Sequence, residues 1–185
     1  MIILSIDTSQ KEALVVVSSN DQVLSFVSEN IESSCSQRII FMIDQALKKA
    51  NIHKREIDGL GCVVGPGSFT GIRIGIATVS ALAYAKQCRV APVCSLEYRV
   101  YHAIKQGGKI LSVLPSNKSE VFACLYPGGQ PYIAQKCVTT HFETPSAFLL
   151  TQNLASSVWA NFETHNTVEY FNVEPLYVRK AYVER

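Results

Sequence analysis

The stretch from Leu60 to Lys86 constrains this chain more than any other. A short, wholly apolar run, Leu60 to Val64, leads through Gly65-Pro66-Gly67-Ser68-Phe69-Thr70-Gly71 directly into a helical segment, Ile72 to Lys86. A run that is apolar at every position shows no face to water, so it reads as a strand covered on both sides. A helix joined to it by a glycine turn supplies one of those covers, which commits the chain to layers of helix on sheet. The glycines let the backbone turn sharply and aim amide groups from a helix amino terminus, a geometry that can hold an anion. The turn lacks the Lys-Ser/Thr pair of a P-loop, and its third glycine comes too late for the dinucleotide fingerprint. A plain strand-to-helix turn capped by Ser68 or Thr70 fits the same pattern.

Upstream, Ile2 to Ile6, Ala13 to Ser18 and Val23 to Val27 are apolar, β-prone runs separated by polar turns, which predicts three consecutive antiparallel strands. Ile39, Ile40, Met42, Ile43, Ala46, Leu47 and Ala50 then recur at helical spacing between charged residues, an amphipathic helix over Gln37 to Asn51. Downstream come a strand at Val90 to Val93, a helix capped by Ser95 and running to about Lys105, and a strand at Ile110 to Leu114. A hairpin follows, Val121 to Tyr126 and Tyr132 to Gln135 around Pro127-Gly128-Gly129, then a helix from about Pro145 to Gln152. Antiparallel strands first and βα units afterwards predict an α/β fold with a mixed sheet and helices on its faces. The expected division is a first subdomain over 1–95 and a second, shortened α/β subdomain over 96–185, with the carboxy-terminal segment returning to the first.

The balance of 48% hydrophobic and 17% charged residues is that of a globular chain. With a net charge of +2 and scattered Lys and Arg, no basic stripe offers a nucleic-acid footprint. Cys35, Cys62, Cys88, Cys94, Cys124 and Cys137 form no C-x-x-C pair, and His53, His102, His141 and His165 are equally dispersed, so no metal site is expected. No activating base near Cys35 or Cys62 in sequence is identified, and no catalytic residue is assigned. Met1 to Asp7 has no basic region of a secretory signal, and the longest apolar stretch is too short to span a bilayer, so a cytoplasmic protein without membrane contact is expected.

Asp7-Thr8-Ser9, ending the first strand, could set a carboxylate and two hydroxyls around a nucleotide's phosphates and metal; it is equally an ordinary hairpin turn. With Gly65, Gly67 and Ser68 it forms the candidate nucleotide-binding set.

Three segments together, Leu4-Ser5-Ile6-Asp7-Thr8-Ser9, Gly65 to Gly75 and Pro175-Leu176-Tyr177-Val178-Arg179, resemble the TsaB family, also called YeaZ, in order and spacing. The resemblance implies an actin-like, Hsp70-like (ASKHA) fold that lacks most of the catalytic apparatus of the paralogous TsaD, which transfers threonylcarbamoyl to adenosine of tRNA. It implies a non-catalytic scaffold and activator: a heterodimer with TsaD through paired helices, joined by the ATPase TsaE in a ternary complex, with tRNA met only through that complex. An apolar helical face of this kind could equally join two copies of the chain as a homodimer when TsaD is absent. The matching helices are Gln37 to Asn51 and Ile72 to Lys86, and the interface candidates are Arg38, Ile39, Met42, Ile43, Ala46, Ile72, Arg73, Ile76, Ala77 and Ser80. No cofactor is required by this chain, with adenine nucleotide expected at most at an interface of the complex.

The chain departs from the family pattern in three places. Cys35 stands where a histidine usually precedes the first helix, Pro115-Ser116-Asn117 replaces an Asp-Ala-Arg segment, and the second domain is shortened; the metal-binding histidine pair of the paralogous TsaD also has no counterpart, which argues against the transferase itself. The rival reading is an actin-like ATPase or kinase that uses Asp7 to Ser9 and the Gly65 to Gly71 turn for magnesium-dependent hydrolysis. A hydrolase ranks below both, since no nucleophile and base can be paired.

Overall fold

The computed structural model describes residues 1–30, 35–135 and 146–178, of Cys35 the backbone only. Cys137, His141, Pro145 and Arg179 lie outside the described residues. Five strands form the main sheet: β1 Ile2–Asp7, β2 Glu12–Ser19, β3 Gln22–Asn30, β4 Gly59–Gly65 and β5 Val90–Cys94, in the order β3-β2-β1-β4-β5. β1, β2 and β3 pair antiparallel, while β4 joins β1, and β5 joins β4, in parallel. This is the mixed α/β sheet with helices on its faces that the sequence predicts.

β4 is buried at every position, as its apolar run requires, whereas the edge strand β3 alternates between buried and half-exposed residues. Helices α1 (Cys35–Ala50) and α2 (Phe69–Lys86) cover one face of the sheet, sharing a core with Leu4, Ile6, Val15, Val17, Leu60 and Cys62. The other face, with Ile3, Leu14, Val16 and Val63, is covered by α5 (Ala147–Glu163) and by Tyr98 of α3 (Ser95–Arg99). A second sheet, β6 Ile110–Pro115, β7 Glu120–Tyr126 and β8 Tyr132–Gln135, is an antiparallel meander that packs on α3 and α4 (Tyr101–Lys105) through Leu96, Leu114, Phe122 and Cys124.

Two expectations change. Ser95 caps no helix: its hydroxyl donates to the Pro66 carbonyl, and the helical stretch breaks at Val100 (φ −116°, ψ 14°) into α3 and α4. The last helix does not stop near Gln152 but continues to Glu163. Polar residues of the added turns find partners inside the fold: the buried Asn153 donates to the Arg99 carbonyl at 2.9 Å, and the half-buried Asn161 to that of Pro92 at 3.0 Å. Such bonds satisfy backbone groups that burial would otherwise leave unpaired.

The chain beyond α5 runs back along α2. Val168 bridges Val90, the Ser80 hydroxyl donates to the Tyr170 carbonyl at 3.0 Å, and Leu176 N–H donates to the Val64 carbonyl at 2.7 Å.

Candidate functional site

The two segments singled out for a nucleotide meet, backbone against backbone. Ser68 N–H donates to the Ser9 carbonyl at 2.7 Å, and the Thr8 hydroxyl donates to the Gly71 carbonyl at 2.7 Å. A Cβ on Gly67 would stand 2.2 Å from the Ser9 carbonyl oxygen, and one on Gly71 2.0 Å from that of Thr8. These glycines therefore permit close approach of the turn to the end of β1. Gly65 has φ +118°, and a Cβ there would also meet the Leu176 carbonyl at 2.8 Å, so it needs glycine on both counts. Ser68 is the cap of α2, accepting from Gly71 N–H at 3.2 Å.

Asp7, Thr8 and Ser9 are buried. One carboxylate oxygen of Asp7 accepts from Ser9 N–H at 2.7 Å; the other accepts from the Tyr98 hydroxyl and lies 3.8 Å from an Arg99 nitrogen. Burial, and after it the Asp7 charge, pushes the Tyr98 phenol well above its ordinary range; the same two causes raise the thiol of Cys62. As arranged, the turn does not fit a magnesium nucleotide. Its carboxylate is engaged by protein donors on both oxygens, and the Thr8 hydroxyl holds α2. An open depression bounded by Asp21, Leu24, Lys49, His102, Phe148 and Gln152 lies at the β3 edge, away from this turn.

The interface candidates divide. Ile39, Met42, Ile43, Ala46 and Ile72 are buried in the chain's own core, where a partner cannot touch them without unfolding it. They are a correction to the sequence reading: helical spacing identifies an apolar face but not what covers it, and here the sheet does. Arg38 forks onto the Glu29 carboxylate at 2.6 and 3.1 Å. Arg73 and Ala77 are exposed, and Ile76 and Ser80 are half-buried. On α1 the outward apolar residues are instead Ile40 and Phe41, 57% and 46% exposed, which the sequence reading placed in the periodic face or passed over.

Helix α2 turns Gly71, Ile72, Gly75, Val79 and Ala83 inward, leaving Ala77, Ala81, Tyr84 and Ala85 outward. Between Arg73 and Lys86 this helix carries no charge on either face. At its start, Phe69 stacks on Tyr177 (centroids 5.3 Å apart), Arg73 lies 3.8 Å over the Phe69 ring, and its Nε donates to the Tyr177 hydroxyl at 3.0 Å. At its end, Tyr84 meets Tyr170 edge-on at 5.2 Å. The segment around Pro175 to Val178 thus clamps the glycine turn and α2, a placement no local pattern could show.

Two of the described histidines have structural partners: His53 caps a single turn of 3-10 helix over Lys54–Glu56, and His102 faces the Ser156 hydroxyl at 3.2 Å, while His165 is exposed. Among the described residues no group of three or more His, Cys, Asp and Glu could hold a metal ion, and no helix is long and apolar enough to cross a membrane.

Residues 23–149 match the family described as TsaD: tRNA N6-adenosine threonylcarbamoyltransferase. The chain is 31% identical over 128 residues to the tRNA threonylcarbamoyladenosine biosynthesis protein TsaB of Escherichia coli, covering 68% of this chain and 55% of that one. It is 26% identical over 122 residues to the TsaB of Haemophilus influenzae, covering 65% of this chain and 51% of the other. The chain thus spans about half the length of the curated relatives it matches. Its fold superposes on YeaZ from Pseudomonas aeruginosa with a TM-score of 0.75 at 21% identity, covering 95% of this chain and 99% of that one.

Proposed function

The chain belongs to the TsaB (YeaZ) branch of the TsaD family, and on that premise we propose that it is a non-catalytic partner of a TsaD-type transferase in forming threonylcarbamoyladenosine on tRNA. The transferase supplies the nucleotide contacts, the metal and the acyl transfer; this chain supplies a helical docking face and requires no cofactor of its own. It works in the cytoplasm, meets tRNA only through the complex, and takes part with a TsaE-type ATPase in the assembled state.

The observation that supports this reading is the outward side of α2. A helix that is apolar all round normally lies in an interior. Here one side faces the sheet while Ala77, Ala81, Tyr84 and Ala85 face solvent. Small residues let a second helix approach to an axis separation of about 8 Å, the near end of the usual range. Ile40 and Phe41 on α1, which covers the same face of the sheet, add exposed apolar surface. Without the transferase the same side pairs two copies of this chain.

The test is size-exclusion chromatography with light scattering, on the chain alone and mixed with the TsaD-type protein of the same organism, with and without adenine nucleotide. Wild type is expected to form a one-to-one heterodimer. Ala77→Glu and Ala81→Glu should each keep the native circular dichroism yet elute apart from the transferase, because a carboxylate buried against an apolar helix finds no partner. Lys109→Glu, an exposed change beside the second sheet, should bind as wild type does. Persistent complexes in both alanine variants, or no complex under any nucleotide condition, would sink the proposal.

A further inference from the structure

We infer that Arg99 and the hydroxyl of Tyr98 are this chain's built-in ligands for Asp7, standing where a magnesium nucleotide would need that carboxylate, so that the Asp7 turn is an internal lock between β1, α3 and α5. The lock is independent of the partner surface on α2.

Asp7 ends β1 with its side chain 2% exposed, and Arg99 ends α3 with its side chain 11% exposed. A carboxylate removed from water is costly unless donors replace the lost hydration. Two donors do so here, Ser9 N–H at 2.7 Å on one oxygen and the Tyr98 hydroxyl on the other, and the Arg99 guanidinium adds its charge 3.8 Å from the second oxygen. The guanidinium also lies over the Tyr98 ring, 5.5 Å from its centroid, so the two side chains position one another. A guanidinium spreads its charge over a planar fork of donors, which suits it to a buried counter-cation beside a carboxylate.

The cluster ties together elements distant in sequence. Tyr98 reaches Asp7 across 91 positions, and Asn153 of α5 donates to the Arg99 carbonyl across 54. α3 opens the connection to the second sheet, through Leu96 in the core it shares with Leu114 and Phe122. The lock therefore fixes the five-stranded sheet against the element that carries the three-stranded one. Of the turn's other polar groups, the Thr8 hydroxyl donates to the Gly71 carbonyl and the Ser9 carbonyl accepts from Ser68 N–H, while the Ser9 hydroxyl is buried with no hydrogen-bond partner among the described residues.

The experiment is a double-mutant cycle in urea on the full chain, Asp7→Asn, Arg99→Gln and both together, alongside equilibrium dialysis of magnesium ATP. Each single change should shift the unfolding equilibrium toward the unfolded state. The double variant should recover part of that loss, with a coupling of about fivefold or more in the equilibrium constant. Wild type should retain no ATP in an Asp7-dependent way. If Asp7→Asn does not fold, Arg99→Lys against Arg99→Gln decides the matter: a charge role predicts that lysine keeps more stability than glutamine. Additive losses, equal losses in the two Arg99 variants, or ATP binding by wild type that Asp7→Asn abolishes would each overturn the inference.

Discussion

Replacing Gly71 by alanine separates what a helix prefers from what this fold permits. Gly71 lies in the first turn of α2 with its N–H on the Ser68 cap at 3.2 Å. Helix propensity alone would make alanine about 1 kcal/mol more favourable there. The added Cβ, however, would stand 2.0 Å from the Thr8 carbonyl oxygen, against an ordinary separation of about 3.5 Å. Both atoms belong to backbone or are fixed to it, so α2 and the end of β1 must part. Overpacking of this kind costs about 1–3 kcal/mol. The movement also stretches the 2.7 Å bond from the Thr8 hydroxyl to the Gly71 carbonyl, a net contribution of about 0.5–1.5 kcal/mol. Set against the propensity gain, the expected loss is about 2 kcal/mol, or a Tm lower by roughly 4–8 °C for a chain of this size. Gly75→Ala is the internal control. Its Cβ would meet the Thr8 hydroxyl oxygen at 2.4 Å and nothing else closer than 3.7 Å, so only the bond to the Gly71 carbonyl is given up, about 0.5–1.5 kcal/mol set against a propensity gain of about 1 kcal/mol, and the change should be smaller than at Gly71. Urea and thermal unfolding followed by circular dichroism measure both. Gly71→Ala unfolding at or above the wild-type temperature would refute the close-approach reading.

Two other outcomes follow from the same packing. Tyr177→Phe keeps the stack on Phe69 but loses the Arg73 bond at an exposed site, so its urea midpoint should barely move; Tyr177→Ala removes both, and limited proteolysis near Leu176 should accelerate. Equal cleavage of the two variants would argue against the clamp. Stability should also fall as the pH rises above about 9. The Cys62 thiol and Tyr98 phenol are raised above their ordinary values of 9.0 and 10.0, mainly by burial, so the unfolded chain releases those protons first and is favoured as pH climbs toward the folded values. Urea midpoints between about pH 7 and 10.5 check the sign, and Cys62→Ala should flatten the first part of the decline; a flat profile in wild type contradicts it.

The chain itself determined most of the element order. Alternation of polar turns with β-prone runs marks β1, β2 and β3, and the spacing of Ile39, Met42, Ile43 and Ala46 marks α1, because each is a local preference that a dozen residues express. The wholly apolar β4 and its glycine turn announce a buried parallel strand feeding a helix. The motif segments at Asp7, Gly65 and Pro175 could be marked as special in the same way.

What those segments do was decided only by tertiary contact. The periodic face of α1 is equally suited to a sheet or to a partner, and packing assigned Met42 to the core while turning Ile40 and Phe41 outward. The extension of α5 to Glu163 depends on Asn153 and Asn161 finding carbonyls on Arg99 and Pro92, acceptors far away in sequence. Glycine at 67 and 71 is explained by the carbonyls of Ser9 and Thr8, and the carboxylate of Asp7 by Tyr98 and Arg99. Periodicity and turn chemistry are short-range properties that a sequence displays directly; which buried donor meets which acceptor depends on how the layers close, and only the folded chain brings those atoms together.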